Sequence, residues 1–304
     1  MRHSSNDPPE WIDKLTIRNI AGTLAMKLHC YWLLRNVWDV IAGFTPEQQA
    51  MDKRLRVLLG SFVKKGDLVF DIGANRGNYT RLLVDMGAKV IAVEPNVKLY
   101  KKLVRRFIYD FDDVEVVWAA ASDVEDKYRV LYSCEDHGLS SLSPEYIESV
   151  DKVIFPKYTW NKEQIVPTIT LHQLMGKYGV PAFIKMDIEG HEKVALQAMN
   201  TASKFISVEY ARNFPRGFIE SVNRLDTIGM NQFNYTRFAE HELVLTEWVN
   251  KDQLIDSILS NHSEVLWGDI YAKRSAKKRI NNDKTTHNDL HYRGDDCCID
   301  NQND

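Results

Sequence analysis

The chain has 304 residues, 44% hydrophobic and 27% charged, which suits one sizeable folded core with short appendages. A net charge of −3 gives no general reason to expect a nucleic-acid partner. Four cysteines, with Cys30 and Cys134 isolated and Cys297-Cys298 adjacent, are too few and too scattered for a disulfide framework or a zinc site, so a reduced, cytoplasmic setting is expected.

Met1 to Glu10 is polar and contains Pro8-Pro9, unlike a secretory signal. The apolar stretch from Leu28 to Phe44 is broken by His29, Arg35 and Asp39, too short and too charged for a transmembrane segment. Between about Trp11 and Gly43 the pattern is helical. Trp11, Trp32 and Trp38 there call for a docking surface: the chain's own core, a second copy in a homodimer formed through these helices, or a membrane face. Thr45-Pro46-Glu47-Gln48 then reads as a helix start, with an N-cap, Pro at the first helical position and a capping box.

Leu68-Val69-Phe70-Asp71-Ile72 is a strand ending near an acid, followed by a turn with Gly73 and Gly77 and a helix whose face carries Leu82, Leu83 and Met86 before a stop at Gly87. A dinucleotide fingerprint would place glycines at 75 and 78, where this chain has Asn75 and Asn78. The Asp-x-Gly-x-x-x-Gly spacing instead suits S-adenosylmethionine, which lacks phosphates and carries an ammonium and a sulfonium. Ala88 to Val93 reads as the next strand, ending at Glu94-Pro95. A carboxylate at that strand end, about 20 residues past the glycine turn, is placed to accept both ribose hydroxyls. Asn96 caps the helix bearing Leu99, Leu103 and Phe107.

Strand patterns recur at Val114 to Ala119, Tyr128 to Tyr132, Gln164 to Thr168, Phe183 to Met186, Phe205 to Glu209, Gln232 to Phe238 and Leu266 to Lys273. Helical runs at Leu171 to Tyr178, His191 to Ala198 and Gly217 to Ile228 lie between several of them. This alternation predicts an α/β fold with an open, mostly parallel sheet flanked by helices. Asp71, Glu94, Ser122-Asp123 and Asp187 all fall at or just past strand ends, where such sheets bind ligands. From Ser275 the composition is polar, and disorder is expected.

Phe70-Asp71-Ile72-Gly73-Ala74-Asn75-x-Gly77, Val93-Glu94-Pro95, Ala120-Ala121-Ser122-Asp123, Gly138-Leu139-Ser140-Ser141-Leu142 and Ile184-Lys185-Met186-Asp187-Ile188-Glu189-Gly190-His191-Glu192 together resemble the FkbM family of S-adenosylmethionine-dependent methyltransferases. The likeness runs from about Gly66 to Tyr210, with a weaker echo through Gly268-Asp269-Ile270-Tyr271-Ala272, and the segment from Ile184 to Glu192 is the most discriminating. The chain departs from the family at His172, where Asp is usual. The resemblance implies a Rossmann-like class I methyltransferase fold over residues 46–274, after an N-terminal helical extension (1–45) and before a polar tail (275–304). It also implies O-methylation of a hydroxyl on a sugar, glycan or glycosylated natural product.

The expected cofactor set is Asp71, Gly73, Ala74, Asn75, Gly77, Tyr79, Glu94, Pro95, Ala120, Ser122 and Asp187. Candidate catalytic residues are Asp187, Glu189, Lys185, His137 and His191, with Asp187 as the leading base. A plainer alternative makes Glu189 and Glu192 first-turn acids answering a helix dipole, paired with Lys185. No metal is expected, because Asp187 and Glu189 lack a third oxygen donor at a persuasive spacing. A rival from another class is a non-catalytic scaffold that keeps the fold.

Overall fold

A computed structural model describes residues 46–108, 110, 112–134, 139–150, 159–238, 240–261 and 267–275. The expected N-terminal helices, His137 and the tail from residue 276 lie outside the described residues. In chain order the elements are α1 (Pro46–Gly60), β1 (Leu68–Ile72), α2 (Asn78–Asp85), β2 (Lys89–Val93), α3 (Val97–Arg106), β3 (Val114–Val117), β4 (Ala120–Ala121) and β5 (Tyr128–Ser133). They continue with α4 (Pro144–Val150), β6 (Lys162–Ile169), α5 (Leu171–Tyr178), β7 (Phe183–Met186), α6 (Glu192–Ala195), β8 (Phe205–Ala211), α7 (Pro215–Thr227), β9 (Gln232–Tyr235), α8 (Lys251–Leu259) and β10 (Trp267–Lys273).

Seven strands form one sheet in the order β3-β2-β1-β7-β8-β10-β9. Its pairs are parallel except those made by β10, which runs antiparallel to both β8 and β9. The chain works outward from β1 to β3 and then returns to β7 on the other side, so the switch point lies between β1 and β7. This is the Rossmann-like class I methyltransferase architecture. Alternation along β1 explains its apolar composition. Phe70 and Ile72 join the core under α5, α7 and α8, while Val69 joins the core under α1 and α2.

Local signals set the helix ends. Asn96 Oδ1 accepts from the amides of Lys98 and Leu99 at 3.0 and 3.4 Å, starting α3. Gly87, at φ 83°, follows α2 as its left-handed stop.

Three features differ from the sequence expectation. β3 ends at Val117, and the chain turns into β4, which joins β6 and β5 in a separate three-stranded sheet. The antiparallel β5–β6 pairing takes these strands off the main sheet. Helices α4 and α8 were not foreseen. Ser143 Oγ accepts the Tyr146 amide at 3.2 Å ahead of α4, and Asn250 forms a capping box with Gln253 at α8, so both carried readable starts.

Candidate active site

The parallel pairs bring the ends of β2, β1 and β7 level, with Ile72 opposite both Val93 and Met186. Beyond them the backbone is stitched together. Gly73 and Ala74 donate to the Val93 carbonyl at 2.9 and 3.0 Å, and the Asp187 amide donates to the Ile72 carbonyl at 3.0 Å. Gly73 sits at φ 82°, and a Cβ there would lie 1.9 Å from the Asp187 carbonyl oxygen. Only glycine lets the exits of β1 and β7 lie this close. Gly77 has a different task. A Cβ on it would meet Leu103 Cδ2 at 2.6 Å and Phe107 Cε2 at 2.7 Å, so its small size seats α3 against the turn.

A cavity of about 1070 Å³ opens over these strand ends. Of the sequence-predicted residues, Gly73, Ala74, Asn75, Tyr79, Glu94, Pro95, Ala120, Asp187, Glu189 and His191 line it. Asp71, Gly77, Ser122 and Lys185 are buried behind the wall, and His172 is exposed on α5 away from it. Asp71, Gly77, Ser122 and Lys185 thus stand directly behind residues that line the cavity. Asp71 accepts the Thr80 hydroxyl from the first turn of α2. Burial pushes its carboxyl up to about 6, against the opposing effect of the Thr80 bond.

Glu94 is buried but keeps an edge on the cavity. Its Oε2 accepts the Asn75 amide and its Oε1 the Asn96 amide, both at 2.8 Å. Each oxygen keeps a further lone pair for a ligand hydroxyl. Burial pushes this carboxyl up to about 7, although both backbone donors favour the charged form.

The far half of the cavity is acidic. Register pairs Asp269 with Glu209, and Asp187 and Glu209 each follow the last β7–β8 pair, Met186 with Val208, so the three acids lie side by side. Lys185, 2% exposed, bridges the ends of the row, with Nζ 3.2 Å from Asp187 Oδ2 and 2.8 Å from Asp269 Oδ1. Burial alone would strip its proton, but the two carboxylates outweigh burial and hold the pKa well above the usual lysine value. The alternative pairing of Lys185 with Glu189 and Glu192 is thereby corrected.

Glu189, in the left-handed region at φ 54°, accepts the Tyr146 hydroxyl at 2.7 Å. Burial and then the Asp187 charge raise Glu189 to about 8, and the same two causes raise Glu209 well above the carboxylate range. Both shifts favour the protonated acid, and a positive charge bound in the cavity would favour the ionised one. Glu192 is turned inward, accepting the Ile188 amide at 2.9 Å, which fixes the loop between β7 and α6. His191 is buried with Nε2 3.3 Å from Ser122 Oγ. Burial and the neighbouring Arg129 lower it to about 4, so it is neutral and weakly basic.

Glu209 and Asp269 are site residues that sequence reasoning missed. One oxygen each from Asp187, Glu189 and Glu209 lies within 4.8 Å of the others, correcting the expectation that a third oxygen donor is lacking. Such a trio is the donor type of a hard divalent cation. It equally suits a cationic ligand centre.

The donor set fits S-adenosylmethionine. Glu94 offers two acceptor oxygens at the rim of the glycine turn, and the turn has no run of glycines to cradle a pyrophosphate. The acids beyond β7 and β8 match a ligand that carries positive charge. Among the described residues no helix is long and apolar enough to cross a membrane.

No curated protein matches the chain in sequence. Solved structures that resemble it include a TehB-like methyltransferase from Corynebacterium glutamicum, at 10% identity and TM-score 0.40 over 80% of this chain and 96% of that one. A second is an O-methyltransferase from Thermotoga maritima, at 12% identity and TM-score 0.38 over 78% and 68%. A third is precorrin-6y C5,15-methyltransferase from Geobacter metallireducens, at 11% identity and TM-score 0.37 over 73% and 87%. These likenesses are too distant to carry substrate or mechanism. The family model for the methyltransferase FkbM domain matches residues 71–250, which takes in the glycine turn, Glu94 and the acidic row as far as Glu209. The chain belongs to the FkbM family of S-adenosylmethionine-dependent methyltransferases.

Proposed function

We propose that the protein is an O-methyltransferase acting on a hydroxyl of a saccharide or glycosylated product. The observation that carries this reading is the juxtaposition, in one cavity, of Glu94 at the turn with Asp187 and Glu209 beyond it. When bound, S-adenosylmethionine supplies a methyl group on a positively charged sulfur, a good leaving group. Glu94 would accept hydrogen bonds from the ribose hydroxyls, beside the glycine turn of Gly73 and Ala74.

Asp187 serves as the base that takes the acceptor's hydroxyl proton. Its side chain is 39% exposed, reaching into the cavity, and the Lys185 contact at 3.2 Å fixes its direction. Glu189 and Glu209, each with an oxygen within 4.8 Å of an Asp187 oxygen, flank the acceptor oxygen and, in their protonated forms, donate to it. His191 is a poor rival for the base, because it is only 6% exposed and its Nε2 faces Ser122 Oγ at 3.3 Å, whereas the Asp187 carboxylate reaches into the cavity. The family resemblance supports a saccharide hydroxyl.

The test is incubation with S-adenosylmethionine labelled in its methyl group and saccharide fractions of a host extract, followed by product analysis. A labelled methyl ether on a sugar is expected. Label on nitrogen or carbon, with no saccharide labelled, overturns the reading.

A further inference from the structure

The acidic row runs out onto an aromatic surface. Beyond β9 the chain keeps pairing with β10: the Thr236 amide donates to the Asp269 carbonyl at 2.8 Å and the Phe238 amide to the Trp267 carbonyl at 3.1 Å. This brings the Phe238 and Trp267 rings together, with centroids 5.1 Å apart and planes tilted by 44°. Gly268 permits the close pairing, since a Cβ there would lie 2.1 Å from the Thr236 carbonyl oxygen. Both rings line the cavity, and Phe238 remains 55% exposed.

Strand alternation puts Trp267 and Asp269 on the same face of β10, about 7 Å apart along the strand. Asp269 pairs in register with Glu209, and Lys185 fixes its carboxylate. One wall of the cavity therefore presents ring surface and then carboxyl oxygens. A ligand complementary to it needs an apolar face beside a hydroxyl edge. A pyranose has both: axial C–H groups on one face and hydroxyls around the rim.

We propose that Phe238 and Trp267 form a stacking platform that seats a pyranose ring of the acceptor and turns its hydroxyl edge toward Asp269, Glu209 and Asp187. This inference rests on the saccharide reading above and adds the residues that choose a ring over an open chain. Phe238 contributes contact surface, so its loss acts on acceptor binding and leaves cofactor binding unchanged.

The probes are methyl pyranosides of glucose, galactose, mannose and fucose, with mannitol as an open-chain control, each with full-length protein and S-adenosylhomocysteine. Saturation-transfer NMR should show contact at ring C–H protons for at least one pyranoside and not for mannitol. Phe238→Ala should cut that signal by about threefold or more, and Phe238→Tyr should retain it. An undiminished signal in folded Phe238→Ala overturns the platform. So does a wild-type protein that shows no pyranoside contact while the labelled-methyl incubation marks a saccharide; the saccharide reading then stands alone. If neither pyranoside contact nor saccharide labelling occurs, both fall. A shift of oligomeric state in Phe238→Ala during sedimentation, with pyranoside contact absent from the wild type, makes the ring pair an interface between copies and overturns the platform.

Discussion

Replacing Glu94 by Gln tests the cofactor half of the site. The two carboxylate oxygens each accept one backbone amide, from Asn75 and from Asn96. Glutamine keeps one acceptor and turns an amide NH₂ toward the other backbone donor. The ribose also loses a charged acceptor, which costs about 1.5–3 kcal/mol. At about pH 8 this corresponds to a Kd for S-adenosylmethionine roughly 10- to 150-fold weaker by isothermal titration. The pH dependence is a second reading of the same group. Burial holds Glu94 near 7, and the ligand favours its ionised form. Wild-type affinity should therefore fall as pH drops from 8 through 7 toward 6, and binding near pH 7 should release protons to the buffer. The variant should lack the Glu94 step. A Kd within about twofold of wild type at pH 8, in a variant folded by circular dichroism, refutes the ribose role. Wild-type affinity that does not fall between pH 8 and 6 refutes the charge argument.

Two further substitutions separate supporting residues from contacting ones. Gly77→Ala combines left-handed strain of about 1–2 kcal/mol with crowding against Leu103 and Phe107 of about 1–3 kcal/mol. Urea titration should show a stability loss of roughly 2–5 kcal/mol, while the folded fraction binds cofactor within about threefold of wild type. Lys185→Met leaves Asp187 and Asp269 without their shared cation. It should cost roughly 3–5 kcal/mol in the same titration, and a loss under about 1 kcal/mol would mean that the acidic row does not depend on the lysine.

The half of the site built from local sequence was legible. The glycine turn, Glu94, the Asn96 cap and Asp187 each sit within a few residues of a strand end, and local periodicity finds strand ends. Which acids face the ligand was harder to read. Asp71 and Lys185 alternate inward along their strands and are covered from both sides, so they support the site from behind. Glu209 joins Asp187 through the β7–β8 register, and Asp269 joins through an antiparallel strand inserted between β8 and β9. Those neighbours come from distant parts of the chain, and no local pattern announces which strands will pair. The aromatic pair is hidden for the same reason, since Phe238 and Trp267 meet only when β10 folds back along β9.

The account's central claim concerns Asp187. Its most direct test is the single-turnover rate of methyl transfer to a saccharide hydroxyl for wild type and Asp187→Asn, with cofactor Kd measured in parallel. The substitution keeps the side chain's shape and removes its ability to take a proton. The rate should fall by about 10²-fold or more while Kd stays within about threefold. An Asp187→Asn enzyme that transfers methyl at the wild-type rate, while His191→Ala is inactive, would contradict the claim and move the base to the imidazole.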